Sequence, residues 1–263
     1  MTRLAHMTLL AALAAAPAAA QTATTQTAVG LTGDRTLVMI DTATAAVTGT
    51  VEVQGVDSLL GIDWRPGTMQ LIGVTTAQAI VTIDPMTGAT TELSRMATML
   101  PVGDAPVIVD VNPAADRLRF MSGLVNHRVN METGEVTVDK PLAFVAEDMH
   151  AGETPNIVAA AYTNSFGKPE KTAMFDIDAT ISGLIQQVAP NDGTLKAVGK
   201  LGVMLTGPVG LDVATTAEGT NTAWLAAMGG LHTADLATGA VTASWAITGT
   251  DAQVRDLTIL PAM

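Results

Sequence analysis

The sequence predicts an all-β protein, a five-bladed β-propeller closed by pairing of its N- and C-terminal strands. Three observations predict it. A turn signature recurs at near-constant spacing, an apolar strand stands between successive copies, and the two chain ends look like complementary parts of one such unit.

The turn has the form Asp-x-x-Thr-Gly. It occurs as Asp84-Pro-Met-Thr-Gly-Ala89, Asn130-Met-Glu-Thr-Gly-Glu135 and Asp235-Leu-Ala-Thr-Gly-Ala240, with looser copies at Asp41-Thr-Ala-Thr-Ala-Ala46 and Asn191-Asp-Gly-Thr194. The starts at 41, 84, 130, 191 and 235 are 43, 46, 61 and 44 residues apart, so one unit carries an insertion. Asp or Asn bonds the backbone two residues on, and Gly supplies the positive φ that closes a hairpin. Strand-like runs flank the turns: Thr36–Ile40 and Val47–Val53, Ala79–Ile83 and Thr90–Leu93, Leu231–Ala234 and Val241–Ile247.

Between the hairpins stand Leu60-Gly-Ile-Asp-Trp-Arg-Pro66, Val107-Ile-Val-Asp-Val-Asn-Pro113, Ile157–Thr163, Val209-Gly-Leu-Asp-Val-Ala214 and Val254–Pro261. Most are near-continuous apolar runs, the pattern of a strand covered on both faces. A further strand follows four of them: Gln70–Val74, Arg117–Met121, Thr172–Phe175 and Thr222–Ala227. Four short strands in about 45 residues make one propeller blade. Residues 254–260 read as an inner strand with no hairpin after it, and 28–53 as three outer strands with no inner strand before them. Together they complete one blade. A sixth blade is the alternative, if the insertion in the fourth unit conceals a degenerate copy. Residues 164–171, a longer hairpin at 176–183 and the connection 139–156 are expected to place long loops on one rim, where a ligand would meet the ring.

Residues 1–20 read as a Sec-type signal peptide. Arg3 precedes an apolar run from Met7 to Ala16, and Ala18-Ala19-Ala20 supplies small residues for cleavage. The run is too short to span a bilayer, which takes about 20 residues. The expected product is one domain over 21–263, a soluble monomer in a bacterial periplasm or medium, with no integral membrane segment. Zero Cys excludes a disulfide scaffold and a Cys nucleophile. A net charge of −12 excludes general attraction to nucleic acid. No Gly-x-Ser-x-Gly, His-Glu-x-x-His or phosphate loop occurs.

Asp63, Asp110, Asp212 and Asp256 read as occupying one place in four of the five inner strands, with Ala161 in the fifth. Converging on the axis, they would be candidate catalytic carboxylates, or ligands for a channel-bound Ca²⁺. Recurrence in nearly every unit favours instead a structural role, each Asp locking its blade to the next, and no metal or cofactor is expected. Candidate binding residues are Arg65 beside Asp63, the acidic loop Glu147, Asp148 and His150, and Lys168 in the insertion.

The chain resembles a bacterial exported family known as domain of unknown function 4394. The resemblance is carried by Leu60–Pro66 with Gln70-Leu71, Thr82–Ala89, Val109–Pro113 with Asp116-Arg117-Leu118-Arg119, Asn130–Gly134, Gly152-x-Thr-Pro-Asn156 with Ala160–Asn164, and Pro190–Thr194. It covers nearly all of the chain after the leader, with one departure at the Met-rich stretch Arg95–Val102. It implies a propeller-like fold and brings no activity, cofactor or catalytic residues. The functional expectation is a non-catalytic module binding a small ligand or a periplasmic or extracellular protein. The alternative is an axial-site hydrolase or lyase using the channel carboxylates.

Overall fold

The computed structural model describes residues 26–261, so the leader expected at 1–20 lies outside the described residues. The chain opens with β1 (Thr27–Thr32), β2 (Thr36–Asp41) and β3 (Ala46–Glu52). Blade 2 follows as β4 (Leu59–Arg65), β5 (Gln70–Thr75), β6 (Ala79–Ile83) and β7 (Thr90–Arg95). Blade 3 is β8 (Val107–Asn112), β9 (Arg117–Ser122), β10 (Val125–Val129) and β11 (Val136–Val138). After β12 (Ala143–Phe144), blade 4 comprises β13 (Ile157–Tyr162), β14 (Met174–Asp178), β15 (Gly183–Ala189) and β16 (Thr194–Lys200). Blade 5 is β17 (Val209–Thr215), β18 (Asn221–Ala227), β19 (Gly230–Ala234) and β20 (Val241–Ala246), and β21 (Val254–Leu260) ends the chain.

The sheets number five, and the fold is a five-bladed β-propeller. β21 pairs antiparallel with β1, Thr27 opposite Leu260 and Leu31 opposite Asp256, so blade 1 is built from both ends as the sequence predicts. The inner strands touch in the order β4, β8, β13, β17, β21 and back to β4. The insertion 164–171 forms a connection between β13 and β14, and no sixth blade occurs among the described residues.

The core lies between the blades. Five apolar clusters form, each drawn from two neighbouring sheets. One blade has two apolar faces and cannot cover either alone, so stacking around an axis is what buries them. The Met-rich stretch 95–102 belongs to this scheme. Met96 and Leu100 are buried between blades 2 and 3, and Gln78 brackets the Leu100 backbone with two hydrogen bonds of 2.7 Å.

The recurrent turns also join blades. Asp84 Oδ1 accepts the N–H groups of Met86 and Thr87 at 2.8 and 3.1 Å. Gly88, at φ 74°, sits where a Cβ would overlap the Glu52 carbonyl of blade 1, and its own carbonyl accepts the Gln54 N–H at 2.8 Å. Gly134 meets the end of blade 2 in the same way, with Ala97 donating at 2.9 Å. Two differences from the sequence reading concern blade 4. β12 adds a fifth strand, parallel to β16, within the connection read as a loop. The two long connections also lie at opposite ends of the blade. Residues 145–156 lead into the start of β13, where Asn156 N–H meets the Asp178 carboxylate at 2.9 Å, and 163–173 leave its finish.

Candidate functional site

Period-two alternation on the inner strands points Asp63, Asp110 and Asp212 at the axis, and one oxygen from each lies within 4.8 Å of the others. All three are buried. Each reaches the next strand's backbone: Asp63 Oδ2 accepts from Val111 N–H at 2.7 Å, Asp110 Oδ1 from Tyr162 N–H at 3.0 Å, and Asp212 Oδ2 from Ile259 N–H at 2.5 Å. This register places Thr258, not Asp256, in line with the other three. The Thr258 hydroxyl accepts the Trp64 N–H at 3.1 Å and has Asp63 and Asp212 as acceptors at 2.9 and 3.1 Å. Asp256 sits two residues earlier, over Gly61, and accepts the Ile62 N–H at 2.7 Å. The expectation that four Asp residues share one place is therefore corrected. β21 carries its bulge at Arg255, three residues before Thr258, as β4 carries one at Leu60, three before Asp63, so the aligned place falls on Thr258, and Gly61 leaves the room that the Asp256 carboxylate fills.

Burial pushes these carboxyls upward. Asp212 rises to about 6 and Asp256 to about 7, chiefly through desolvation. Asp63 and Asp110 rise well above the ordinary range, first by desolvation and then by repulsion from neighbouring acids. At neutral pH the cluster holds protons in place of some of its charge. The carboxylates of Asp63, Asp110 and Asp212 are the described groups placed to hold a cation. Five of their six oxygens already accept a protein hydrogen bond, Asp110 Oδ2 being the exception. The cavity over them, rimmed by Trp64, Tyr162, Ser165 and Thr215, has a volume of about 20 Å³. That is room for a water or an ion.

The candidate binding residues do not form one group. Arg65 is buried and joins blade 2 to blade 3, with Nε and Nη2 on the Asp116 carboxylate at 2.8 and 2.7 Å and Nη1 on Glu132 at 2.6 Å. Asp148 accepts the N–H groups of His150 and Ala197 at 2.9 and 2.7 Å, which fixes the 145–156 connection to β16. His150 pairs with Glu153 at 2.9 Å and lies 5.5 Å from the Phe144 ring. Glu147 and Lys168 are exposed. Lys168 lies close enough to Asp116 to help hold that carboxyl below its usual range, after the larger effect of Arg65.

Sequence reasoning passed over a second place. A groove of about 350 Å³ opens between blades 3 and 4, lined by Arg117, Arg119, Arg128, Tyr162, Thr172 and Asn191, among others. Tyr162 also borders the axial cavity, so the two adjoin. Arg119 is 2% exposed and donates to Tyr162 Oη at 3.1 Å, Asn126 Oδ1 at 2.8 Å, Asp139 at 2.7 Å and Asn191 Oδ1 at 3.1 Å. Arg128 faces Arg119 across the β9–β10 pair and donates twice to Asp139, at 2.7 and 2.9 Å. Directly opposed cations repel, and the shared Asp139 offsets this. Behind Arg119, both oxygens of the fully buried Asp176 and Oε1 of Gln187 have no hydrogen-bond partner. Desolvation lifts Asp176 to about 8, against the pull of Arg119. The available signal was the alternation Arg117-Leu118-Arg119, which puts two cations on one face of a strand.

Comparison with known proteins adds the fold's relatives. A Bacteroides thetaiotaomicron structural genomics protein of unknown function is 14% identical with a TM-score of 0.50, over 92% of this chain and 68% of that one. A protein of unknown function from Bacteroides caccae gives 12% and 0.44, over 86% and 75%. An auxiliary nutrient binding protein from Bacteroides ovatus gives 12% and 0.45, over 75% of this chain and 55% of that one. The likeness to the first of these is one of fold alone. No curated protein matches the chain. Among the described residues no helix is long and apolar enough to cross a membrane. The sequence model described as Domain of unknown function (DUF4394) matches residues 36–258, from the start of β2 into β21, and the chain belongs to that family.

Proposed function

We propose that this chain is an exported, non-catalytic β-propeller that captures a small ligand in the groove between blades 3 and 4, acting as a monomer without a cofactor. The observation that carries this reading is the contrast in space and commitment. The axial cavity of about 20 Å³ admits little more than one water. The groove of about 350 Å³ falls within the size range of ligand sites. The axial carboxylates spend their oxygens on neighbouring blades. Glycoside hydrolysis needs a sugar between two carboxyls about 5–9.5 Å apart, and the axis has no room for one. Export rests on the leader-like first twenty residues.

The test is capture of small molecules from a periplasmic extract by the purified protein, read by mass spectrometry after ultrafiltration. Capture is expected for the parent and for Asp63→Asn and Asp110→Asn, and should be lost in Ala115→Trp, which fills the groove from its exposed rim. Retention of nothing specific overturns the reading. So does loss of capture, at unchanged melting temperature, in the axial variants alone. Deleting 164–171 is a poor test, because Asn164 and Ser165 clasp blade 5 through Asn221, Thr215 and Val213.

A further inference from the structure

The groove's open hydrogen-bonding capacity belongs almost wholly to cations. Asp139 takes the Nε and Nη2 edge of Arg128, which leaves Nη1 with no protein acceptor. Arg119 has four of its five N–H groups committed and one left on Nη2. Arg117 is exposed and bonds only the Asp116 carbonyl, through Nη1, so its Nε–Nη2 edge is free. The Asn191 carbonyl oxygen is taken by Arg119, which turns its amide NH₂ outward as a further donor. Elsewhere in the groove, the Thr172 hydroxyl donates to the Thr163 carbonyl across the connection between β13 and β14, and the Asp192 carboxylate is paired with Lys140 at 2.7 Å. Three guanidinium groups against the one shared carboxylate of Asp139 leave a local positive excess on a chain of net charge −12. Arg119 is held in place beneath by neutral partners on both blades, so the charge is positioned before any ligand arrives.

We infer that this groove recognises a small molecule through an oxyanion, a carboxylate or a phosphate ester, with the free edge of Arg117 as the fork and Arg128 Nη1 and the Asn191 amide beside it. This rests on the binding-module reading and narrows it to a ligand class. A guanidinium edge matches two oxygens of a planar or tetrahedral oxyanion in parallel hydrogen bonds. An acidic surface around a cationic groove also repels the anion everywhere else, which gives specificity of place.

The experiment is isothermal titration calorimetry of the full chain with four probes: D-glucuronate, glucose 6-phosphate, inorganic phosphate and glucose. Expected is saturable binding of glucuronate or glucose 6-phosphate that weakens as NaCl rises, with glucose not bound. Glucuronate alone assigns the carboxylate source, and glucose 6-phosphate alone the phosphate ester. Arg117→Gln, at an exposed residue with no ion pair, should weaken binding about tenfold at unchanged melting temperature. Arg128→Gln should weaken binding as well and, because it takes two hydrogen bonds from Asp139, should lower the melting temperature where Arg117→Gln does not. Glucose binding as tightly as glucuronate overturns the oxyanion class and leaves the binding module standing. No heat from any charged probe at millimolar concentration also overturns it, whatever the extract experiment gives. Binding that ignores both Arg variants places the ligand elsewhere and removes the inference.

Discussion

Blade 4 has two neighbours and treats them differently. Toward blade 5 it offers Ala159, Ala161, Ile177 and Leu184, which pack on Leu211, Val213, Ala223 and Leu225. That joint has no axial carboxylate, because Ala161 stands where the others have Asp or Thr. Val213 N–H falls back on its neighbour Asp212 at 2.6 Å, and the polar ties move out to Asn164 and Ser165 on the rim. Toward blade 3 the apolar set of Ile108, Met121, Met174 and Ile185 is interrupted by Arg119, Asn126, Asp176 and Gln187, all buried. The first joint is apolar and held by dispersion and burial. The second carries a network that is incompletely satisfied, and there the groove opens. A ring needs every joint to hold, but one joint at a time can be given to another use.

The sharpest way to break the contrast is to remove one member from each joint. Arg119→Ala strands the side-chain oxygens of Asn126 and Asn191, leaves Asp139 to Arg128 alone, and should cost about 3–5 kcal/mol in urea unfolding through the unsatisfied buried acceptors. Leu211→Ala should cost about 2–5 kcal/mol through transfer and cavity terms. Only the first loss should vary strongly with pH. Equal pH profiles for the two would erase the distinction.

Next in size is the axis. Asp63→Ala removes the acceptor of a buried backbone N–H and should cost about 1–3 kcal/mol. Asp63→Asn keeps an acceptor and removes one of several crowded charges, so at pH 8 it should lose little or gain. If Asn proves as costly as Ala at that pH, the carboxylate is needed as a charge and an ion belongs on the axis.

Titration separates the joints in another way. Asp176 has its folded value lifted to about 8, while an unfolded Asp titrates near 4. Between these values the folded state holds a proton the unfolded state lacks. Its contribution is fully present below about pH 4, is lost as pH rises, and levels off above about 8. Asp212 and Asp256, at about 6 and 7, add slopes of the same sign. The melting temperature should therefore fall from pH 5 to pH 9, and Asp176→Asn should flatten that fall. A parent profile that rises over this range would contradict the burial of an unpartnered Asp176. The smallest effect is that of metals: dialysis against EDTA followed by Ca²⁺ addition should leave melting unchanged. A rise with Ca²⁺ would place an ion among Asp63, Asp110 and Asp212.

The fold was legible because its devices are local. An Asx turn with a positive-φ Gly, and a strand apolar on both faces, each occupy a few consecutive residues, and their recurrence gives the blade count. The shared termini were legible from what each end lacks. The axial register was not. Val254-Arg-Asp-Leu looks like its counterparts, but strand packing sets it two residues out of step with them and gives the aligned place to Thr258. The groove was harder still. Arg119 and Arg128 become neighbours through a hairpin register, and Asn191 arrives from the next blade. Proximity created by pairing between blades leaves no spacing in the sequence to read.

The seam between β1 and β21 sets an order of events. Thr27 leads the described chain, yet its partner on one edge is Leu260. A strand formed early must wait, half-clothed, until the last strand has been delivered. Closing so long a loop costs entropy that local hairpins do not face. Until β21 pairs with β1 the circle stays open, however complete the other blades are.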